Sequence, residues 1–245
     1  MPEHFLLDCE PVPFTPGQSV MAAAHAAGRY IPHLCWLPEL TPHGACRLCT
    51  VRIGPHLAAA CTTPAAAGMM VESQTAELIA QRRTMLQLLF VEGNHFCPSC
   101  ERSGSCALQA TAYAMGMLEP HFDPFYPERA VDASHPDMLL DFNRCILCAL
   151  CVRASRELDG KNVFALAGRG LATRLVVDSA SGRLADTAFS ASDRAAQVCP
   201  VGALVPKRVG FARPIGQRVY DLHPIDEARS GDDDVAGPGG EALAR

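Results

Sequence analysis

Residues 141–151 read DFNRCILCALC, and this stretch decides the fold. Its three cysteines are separated by two residues each, and a fourth cysteine stands far downstream, directly before a proline. These four residues are Cys145, Cys148, Cys151 and Cys199. The pattern is typical of the ligands of one 4Fe–4S cubane, and Ser155 occupies the position where two-cluster ferredoxins have a further cysteine. We therefore expect a domain with a single cubane over residues 137–210.

A second group of candidate ligands lies upstream, in the stretch NHFCPSCERSGSC at 94–106. Its members are His95, Cys97, Cys100 and Cys106. Three cysteines leave a cubane one ligand short, and neutral imidazole is a competent iron ligand, so His95 is the candidate for the fourth position. The other interpretation of His95 is a capping or surface residue after the preceding helix. We favour the ligand, which predicts a second 4Fe–4S site in a helical domain over residues 76–118.

The remaining cysteines form the most N-terminal group, in the stretch PHLCWLPELTPHGACRLCTVRI at 32–53 and at one position beyond it. Its members are Cys35, Cys46, Cys49 and Cys61, with the spacing C-x10-C-x2-C-x11-C. A long loop followed by C-x2-C is the order of plant-type 2Fe–2S domains, although their first gap is shorter. Four thiolates also suit zinc, which is the alternative at this site. Gly44 and Ala45 crowd the loop little, so backbone N–H groups can approach the sulfur atoms and raise the reduction potential.

The bulk composition limits the class of protein. The chain has 245 residues, 12 cysteines and a formal net charge of −5, and a nucleic-acid role is disfavoured because phosphate binding needs a basic face. The N-terminal sequence has neither a basic region nor a long apolar run, and no apolar run approaches a membrane-spanning length. We therefore expect a cytoplasmic chain whose reduced thiols bind metal. The three groups leave only Cys9 unassigned.

Local patterns predict part of the secondary structure. A helix is predicted from a Thr75 cap to Val91, with an apolar stripe from which Gln81, Arg82 and Arg83 are excluded. Two strands are predicted around a Ser181-Gly182 turn, over 173–177 and 184–189.

Two further segments are expected to be irregular. Residues 119–136 carry four prolines and are interpreted as a linker, with His121 and His135 as surface residues. Residues 211–245 form a polar tail, and the run GDDDVAGPGGE within it has the composition of a disordered segment.

The three motifs, taken in this order, carry a family resemblance over residues 1 to about 210. The chain resembles the diaphorase small subunits of soluble NAD-reducing nickel–iron hydrogenases, and also the N-terminal iron–sulfur region of the 75-kDa-type subunit of complex I. The resemblance implies an α+β chain with a β-grasp 2Fe–2S domain over 1–75, a His/Cys3-ligated 4Fe–4S domain and a ferredoxin-like single-cubane domain over 137–210. One departure is that the complex I histidine stands further from the first cysteine than the one-residue gap after His95.

The same resemblance implies the partners. Electrons would pass between a nickel–iron hydrogenase small and large subunit pair and a flavin/NAD-binding diaphorase large subunit, which would hold FMN and NAD. This chain has no G-x-G-x-x-G before a helix, so no dinucleotide site is expected on it, and no catalytic residue is expected either. Alternatives are the same relay in an NAD-dependent formate dehydrogenase, a bifurcating hydrogenase or a complex I-like enzyme. A zinc-stabilised interaction module is a further alternative.

Overall fold

The computed structural model describes residues 3–227. Its strands, in chain order, are β1 Glu3–Leu7, β2 Glu10–Phe14, β3 Thr50–Ile53, β4 His56–Ala59, β5 Met70–Glu72, β6 Val131–Asp132, β7 Met138–Asp141, β8 Phe164–Ala167, β9 Arg174–Val177 and β10 Leu204–Pro206. Its α-helices are α1 Val20–Ala26, α2 Ala76–Val91, α3 Ala107–Ala114, α4 Leu150–Glu157, α5 Arg194–Gln197 and α6 Val219–Leu222. The mixture confirms the α+β class.

The N-terminal part of the chain forms a five-stranded mixed sheet in the order β2-β1-β5-β3-β4. Strand β1 pairs antiparallel with β2 and parallel with β5, which brings the start and the end of this unit together. Helix α1 begins at Ser19, whose hydroxyl accepts the Ala22 N–H at 3.1 Å. Its buried side packs with the inward residues of β1 and β2 in one apolar core. The cysteine loop occupies the residues between α1 and β3.

Helices α2 and α3 form the second unit of the chain. Helix α2 has the bounds predicted from the sequence. The hydroxyl of Thr75 accepts the Leu78 N–H at 3.3 Å, which caps the helix as expected. The prediction that Arg82 lies off the buried face was wrong, because this side chain is 1% exposed. It lies one helical turn from Leu78 and from Leu86, so a charged residue occupies the centre of the buried stripe. Carbonyl oxygens of the neighbouring unit accept its hydrogen bonds.

The C-terminal part, which is the third unit of the chain, contains two small sheets built from strands β6 to β10. Strand β7 lies between β10 and β6, and β8 pairs with β9 in a separate two-stranded sheet. The predicted strand over 173–177 is present as β9, but the predicted strand over 184–189 was wrong. Leu184–Asp186 forms a short 3₁₀ helix instead. The carboxylate of Asp132 accepts the Leu184 N–H at 2.7 Å, so this N–H group does not donate to a neighbouring strand.

The proline-rich segment at 119–136 is tied to the third unit at its end. Val131–Asp132 pairs with β7. The interpretation of His135 as a surface residue was wrong, because this ring is 8% exposed. Its Nδ1 accepts the N–H groups of Asp137 and Met138 at 3.1 and 3.2 Å, so Nε2 carries the proton and donates to the carbonyl of Phe189 at 3.2 Å.

Part of the expected polar tail is in contact with the second unit. The N–H of Tyr220 in α6 donates to the carbonyl of Gly104 at 2.9 Å, and Arg218 donates to the hydroxyl of Ser103 at 3.4 Å. Residues 228–245 of the predicted tail lie outside the described residues. Within residues 3–227, no helix is long and apolar enough to cross a membrane.

Candidate metal centres

The first site comprises Cys35, Cys46, Cys49 and Cys61, and all four side chains are buried. The sulfur atoms form two pairs. Cys49 and Cys61 lie with their Sγ atoms 3.5 Å apart. The thiol of Cys46 is hydrogen-bonded to that of Cys35, and the backbone N–H of Cys46 also donates to the Sγ of Cys35 at 3.3 Å. Arg47 has a positive φ of 58°, which turns the chain between the two central cysteines. Two close pairs suit the sharing of two iron atoms in a 2Fe–2S cluster.

Hydrogen bonds polarise each pair of thiols at the first site. The Cys46 thiol donates to Cys35 and lowers the pKa of Cys35 to about 6, and backbone N–H groups, including that of Ala45, add to the effect. The Cys49 thiol lowers the pKa of Cys61 in the same way, with a smaller contribution from the backbone N–H of Gly44. The hydrogen bonds therefore favour the thiolate form of one sulfur in each pair, and the thiolate is the form that binds iron.

The second site comprises His95, Cys97, Cys100 and Cys106, which all line one small cavity. The Nε2 atom of His95 is buried and has no hydrogen-bond partner among residues 3–227. Burial lowers the pKa of His95 to about 4, so the ring is neutral at pH 7. The ring packs edge-on against Phe90 at a centroid distance of 5.6 Å. A neutral ring with one buried nitrogen lacking a partner fits an iron ligand and does not fit a capping or surface residue.

The cysteines of the second site differ in depth. Cys106 stands at the start of α3, and burial raises its pKa to about 12. Cys97 and Cys100 are part-exposed in the loop that precedes it. Arg144 donates to the Sγ of Cys100 at 3.8 Å, and two carboxylates, those of Glu101 and Asp141, neutralise its charge. Because iron needs thiolates, cluster binding at this site would release protons.

The third site comprises Cys145, Cys148, Cys151 and Cys199, which together line a cavity whose other walls are apolar. Leu147 and Ala149 have left-handed φ values of 54° and 58°, so the tight C-x2-C-x2-C run winds around one centre. Cys199 follows α5, whose first two N–H groups donate to the carboxylate of Asp159 at 2.8 and 3.0 Å. An enclosed apolar space with four converging thiols fits a cubane.

The third site contacts ligand residues of both other sites. The carbonyl of Pro200, directly after Cys199, accepts the Ala107 N–H at 2.9 Å and lies 3.7 Å from the Sγ of Cys106. On its other side, Arg153 in α4 donates to the carbonyl of Cys35 at 2.6 Å. The third ligand group in the sequence is therefore the one that lies against the other two.

No set of three or more His, Cys, Asp or Glu side chains within residues 3–227 converges closely enough to hold a single metal ion. The ligands of a cubane are spread more widely than those of one ion, because each of them binds a different iron atom.

The sequence analysis did not identify two arginines that contact the backbone of the first site. Arg82 and Arg153 are buried and donate to carbonyls of the first-site loop. No local pattern distinguishes them, since their acceptors lie 34 and 118 residues away along the chain.

Three family models match successive parts of the chain. A 2Fe-2S iron-sulfur cluster binding domain matches residues 3–76, and the iron-sulfur binding region of NADH-ubiquinone oxidoreductase G matches 82–121. A 4Fe-4S single cluster domain matches residues 138–205. These matches confirm the predicted fold class and favour iron–sulfur clusters over zinc. The fold and the sites thus define an iron–sulfur electron-transfer protein.

Comparison with individual proteins shows which kind of iron–sulfur electron-transfer protein the chain resembles. The chain is 37% identical over 211 residues to the NAD-reducing hydrogenase HoxS subunit gamma of Cupriavidus necator, covering 85% of this chain and 89% of that protein. The crystal structure of an NAD+-reducing [NiFe]-hydrogenase in the H2-reduced state contains a chain of 57% identity, with a TM-score of 0.91 and coverage of 94% and 98%. The NADPH-Fe(3+) oxidoreductase subunit alpha of Geobacter sulfurreducens is 34% identical, but only 23% of its length is covered.

The chain belongs to the gamma-subunit family of NAD-reducing nickel–iron hydrogenases. It is an iron–sulfur electron-transfer subunit of such a complex, as its motifs predicted.

Proposed function

We propose that the first site holds one 2Fe–2S cluster and that the second and third sites hold one 4Fe–4S cluster each. The observation that carries this assignment is the convergence of each predicted ligand group. The four residues of each cubane site line a common cavity, and those of the first site form two close pairs. The proposed domains are 1–75, 76–118 and 137–210, joined by 119–136 and followed by the segment 211–245.

The protein's own residues hold, orient and shield the clusters. A bound cluster supplies one-electron redox chemistry. The chain excludes water from the first site, where Cys35, Cys49 and Cys61 are each 1% exposed. Pro200 and Arg153, which neighbour ligands of the third site, make hydrogen bonds to the second and first sites and so help to fix the positions of the three sites relative to one another. None of these tasks needs a catalytic residue on this chain.

The proposed partners are a diaphorase large subunit that holds FMN and NAD, and the small and large subunits of a nickel–iron hydrogenase. The complex would couple H2 + NAD+ to NADH + H+, and we place it in the cytoplasm, where cysteines remain reduced. The degree of identity supports this assembly over a complex I-like one. The chain is 37% identical to the hydrogenase subunit and 57% identical to a chain of the [NiFe]-hydrogenase structure, but 31% identical to the NADH-quinone oxidoreductase subunit 3 of Thermus thermophilus.

The test begins with the intact complex, purified under anaerobic conditions with a tag on this chain. Mass spectrometry identifies the co-purifying subunits, and iron analysis with electron paramagnetic resonance (EPR) counts the clusters. We expect a hydrogenase pair, a flavin subunit and about ten iron atoms on this chain, from one 2Fe–2S and two 4Fe–4S clusters.

A matched pair of variants tests the ligand assignment. Cys148→Ser removes a buried thiol of the third site, whereas Cys9→Ser removes an exposed thiol that belongs to none of the sites. We expect the Cys148 variant to lose one cubane signal and the Cys9 variant to keep all of them. Full iron content in the Cys148 variant would show that the third site is assigned wrongly. A molybdenum or membrane subunit in place of the hydrogenase pair would change the proposed partners and leave the clusters as assigned.

A further inference from the structure

Two buried arginines approach the first site from helices outside its own sheet. Arg82, in α2, is 1% exposed and donates to the carbonyls of Leu48 and Thr50, both at 2.9 Å. These two residues flank the ligand Cys49 on either side. The same guanidinium also donates to the carbonyl and the hydroxyl of Ser73, at 2.6 and 3.0 Å. All these hydrogen bonds end on neutral oxygen atoms.

Arg153, in α4, makes the corresponding contact with the other half of the site. It is 4% exposed and donates to the carbonyl of Cys35 at 2.6 Å and to that of Thr41 at 2.6 Å. Its third hydrogen bond, at 3.3 Å, goes to the carbonyl of Ala149 within its own segment. One arginine thus contacts the backbone around Cys49, and the other contacts the backbone of Cys35.

Neither positive charge is neutralised by a contacting carboxylate among residues 3–227. Asp8 acts on Arg82 only at a distance. Arg144 at the second site provides the contrast, because it contacts both Glu101 and Asp141. Burial lowers the pKa of the Arg82 guanidinium, but arginine remains protonated in proteins. A buried, unpaired cation is costly, so an anion nearby is needed to offset it.

The cluster assigned to the first site supplies that anion. A 2Fe–2S cluster with four thiolate ligands is anionic, and reduction adds one electron and one further negative charge without forming or breaking a bond. A fixed positive charge in a low-dielectric interior stabilises the reduced form more than the oxidised form. We propose that Arg82 and Arg153 act as fixed counter-charges that raise the reduction potential of the first cluster. The proposal rests on the ligand assignment of the first site given above.

These arginines are positioning residues that belong to different units from the cluster that they influence. Arg82 is supplied by the unit that carries the second site, and Arg153 follows the C-x2-C-x2-C run of the third site. Displacing either helix from the first site would move a charge away from its cluster. The potential of the first cluster is therefore expected to depend on the docking of the other two units.

The experiment separates the effect of the positive charge from that of the guanidinium geometry at each arginine. Arg82→Gln removes the charge and keeps amide donors, whereas Arg82→Lys keeps the charge and loses the guanidinium geometry. The same pair is made at Arg153. The control is Arg52→Gln on β3, since this arginine contacts the carboxylates of Glu72 and Glu77 and its charge is already balanced. Each variant is purified as the whole complex and titrated with dithionite, and the 2Fe–2S signal is followed by EPR.

We expect a more negative midpoint potential of the 2Fe–2S signal in both Gln variants, a potential near wild type in both Lys variants, and no change in Arg52→Gln. The g-values should stay the same, because the iron ligands are unchanged. Equal shifts in the Lys and Gln variants, or no shift in the Gln variants, would overturn the counter-charge proposal. If the Arg82 variants do not assemble, the Arg153 pair decides. A wild-type complex with no 2Fe–2S signal would instead refute the ligand assignment itself.

Discussion

A methyl group added at Gly93 tests whether His95 binds iron. The Cβ of an alanine there would lie 2.7 Å from the Nε2 of His95 and 2.8 Å from the carbonyl oxygen of Asn143. Ordinary contacts of this kind are about 3.5 Å, so the ring must move by about 0.8 Å and the backbone carbonyl by about 0.7 Å. Metal–ligand distances tolerate only about 0.2 Å, and overpacking costs about 1–3 kcal/mol. We therefore expect Gly93→Ala to disturb the second site and to lower the free energy of unfolding.

The assay follows the three cluster signals by EPR, together with iron content and unfolding in urea. One cubane signal should weaken or change its g-values, while the 2Fe–2S signal and the other cubane signal stay as in the wild type. The matched control is Gly210→Ala, whose Cβ would meet only the side chain of Glu101, at 3.2 Å. Three unaltered signals with normal iron content in Gly93→Ala would refute the assignment of His95 as a ligand of the second site.

Three other changes test residues that support the sites without belonging to them. Leu140→Ala, at a residue 1% exposed on the central strand β7, should lower the free energy of unfolding by about 2–5 kcal/mol in urea titrations. Asp159→Ala should cost about 1–2 kcal/mol and loosen the third cluster in iron-release assays, whereas the exposed Asp178→Ala should do neither. Truncation after Pro214 removes the contacts of α6 with Ser103 and Gly104, so it should lower the temperature at which the cluster signal of the second site is lost. Truncation after Glu227 keeps α6 and should not lower this temperature. The same temperature in both truncated proteins would show that α6 is dispensable.

Local chemistry explains what the sequence could predict. The spacing of the cysteines limits how closely their thiolates can approach one another, so each ligand group could be proposed without knowledge of the tertiary structure. Thr75 followed by a long run of helix formers likewise predicts α2 correctly, because the cap and the helix are formed by neighbouring residues. The strand over 174–177 is found for the same reason.

Long-range partners explain what the sequence could not predict. A charged residue such as Arg82 is expected on the exposed face of a helix. Its guanidinium can be buried because carbonyl oxygens of the first unit accept its hydrogen bonds. His135 is buried because Phe189, 54 residues later in the chain, accepts its Nε2 proton. The segment at 184–189 has strand-like composition, but the carboxylate of Asp132 holds its first N–H group. In each case the hydrogen-bond partner lies far away in the sequence, so the local pattern of apolar and polar residues cannot predict the contact.

The contact between Cys106 and Pro200 has a consequence for how the subunit matures. The two residues are 94 positions apart, so Cys106 leaves the ribosome long before the carbonyl that it will rest against. The N-terminal sheet has a core of its own and can fold while synthesis continues. The second unit must wait for the end of the third, and iron delivered earlier would meet an unfinished pocket. Cluster insertion at the second site should therefore follow translation past Pro200, and the first-site loop is also completed late, because the Cys35 carbonyl must wait for Arg153 of the third unit.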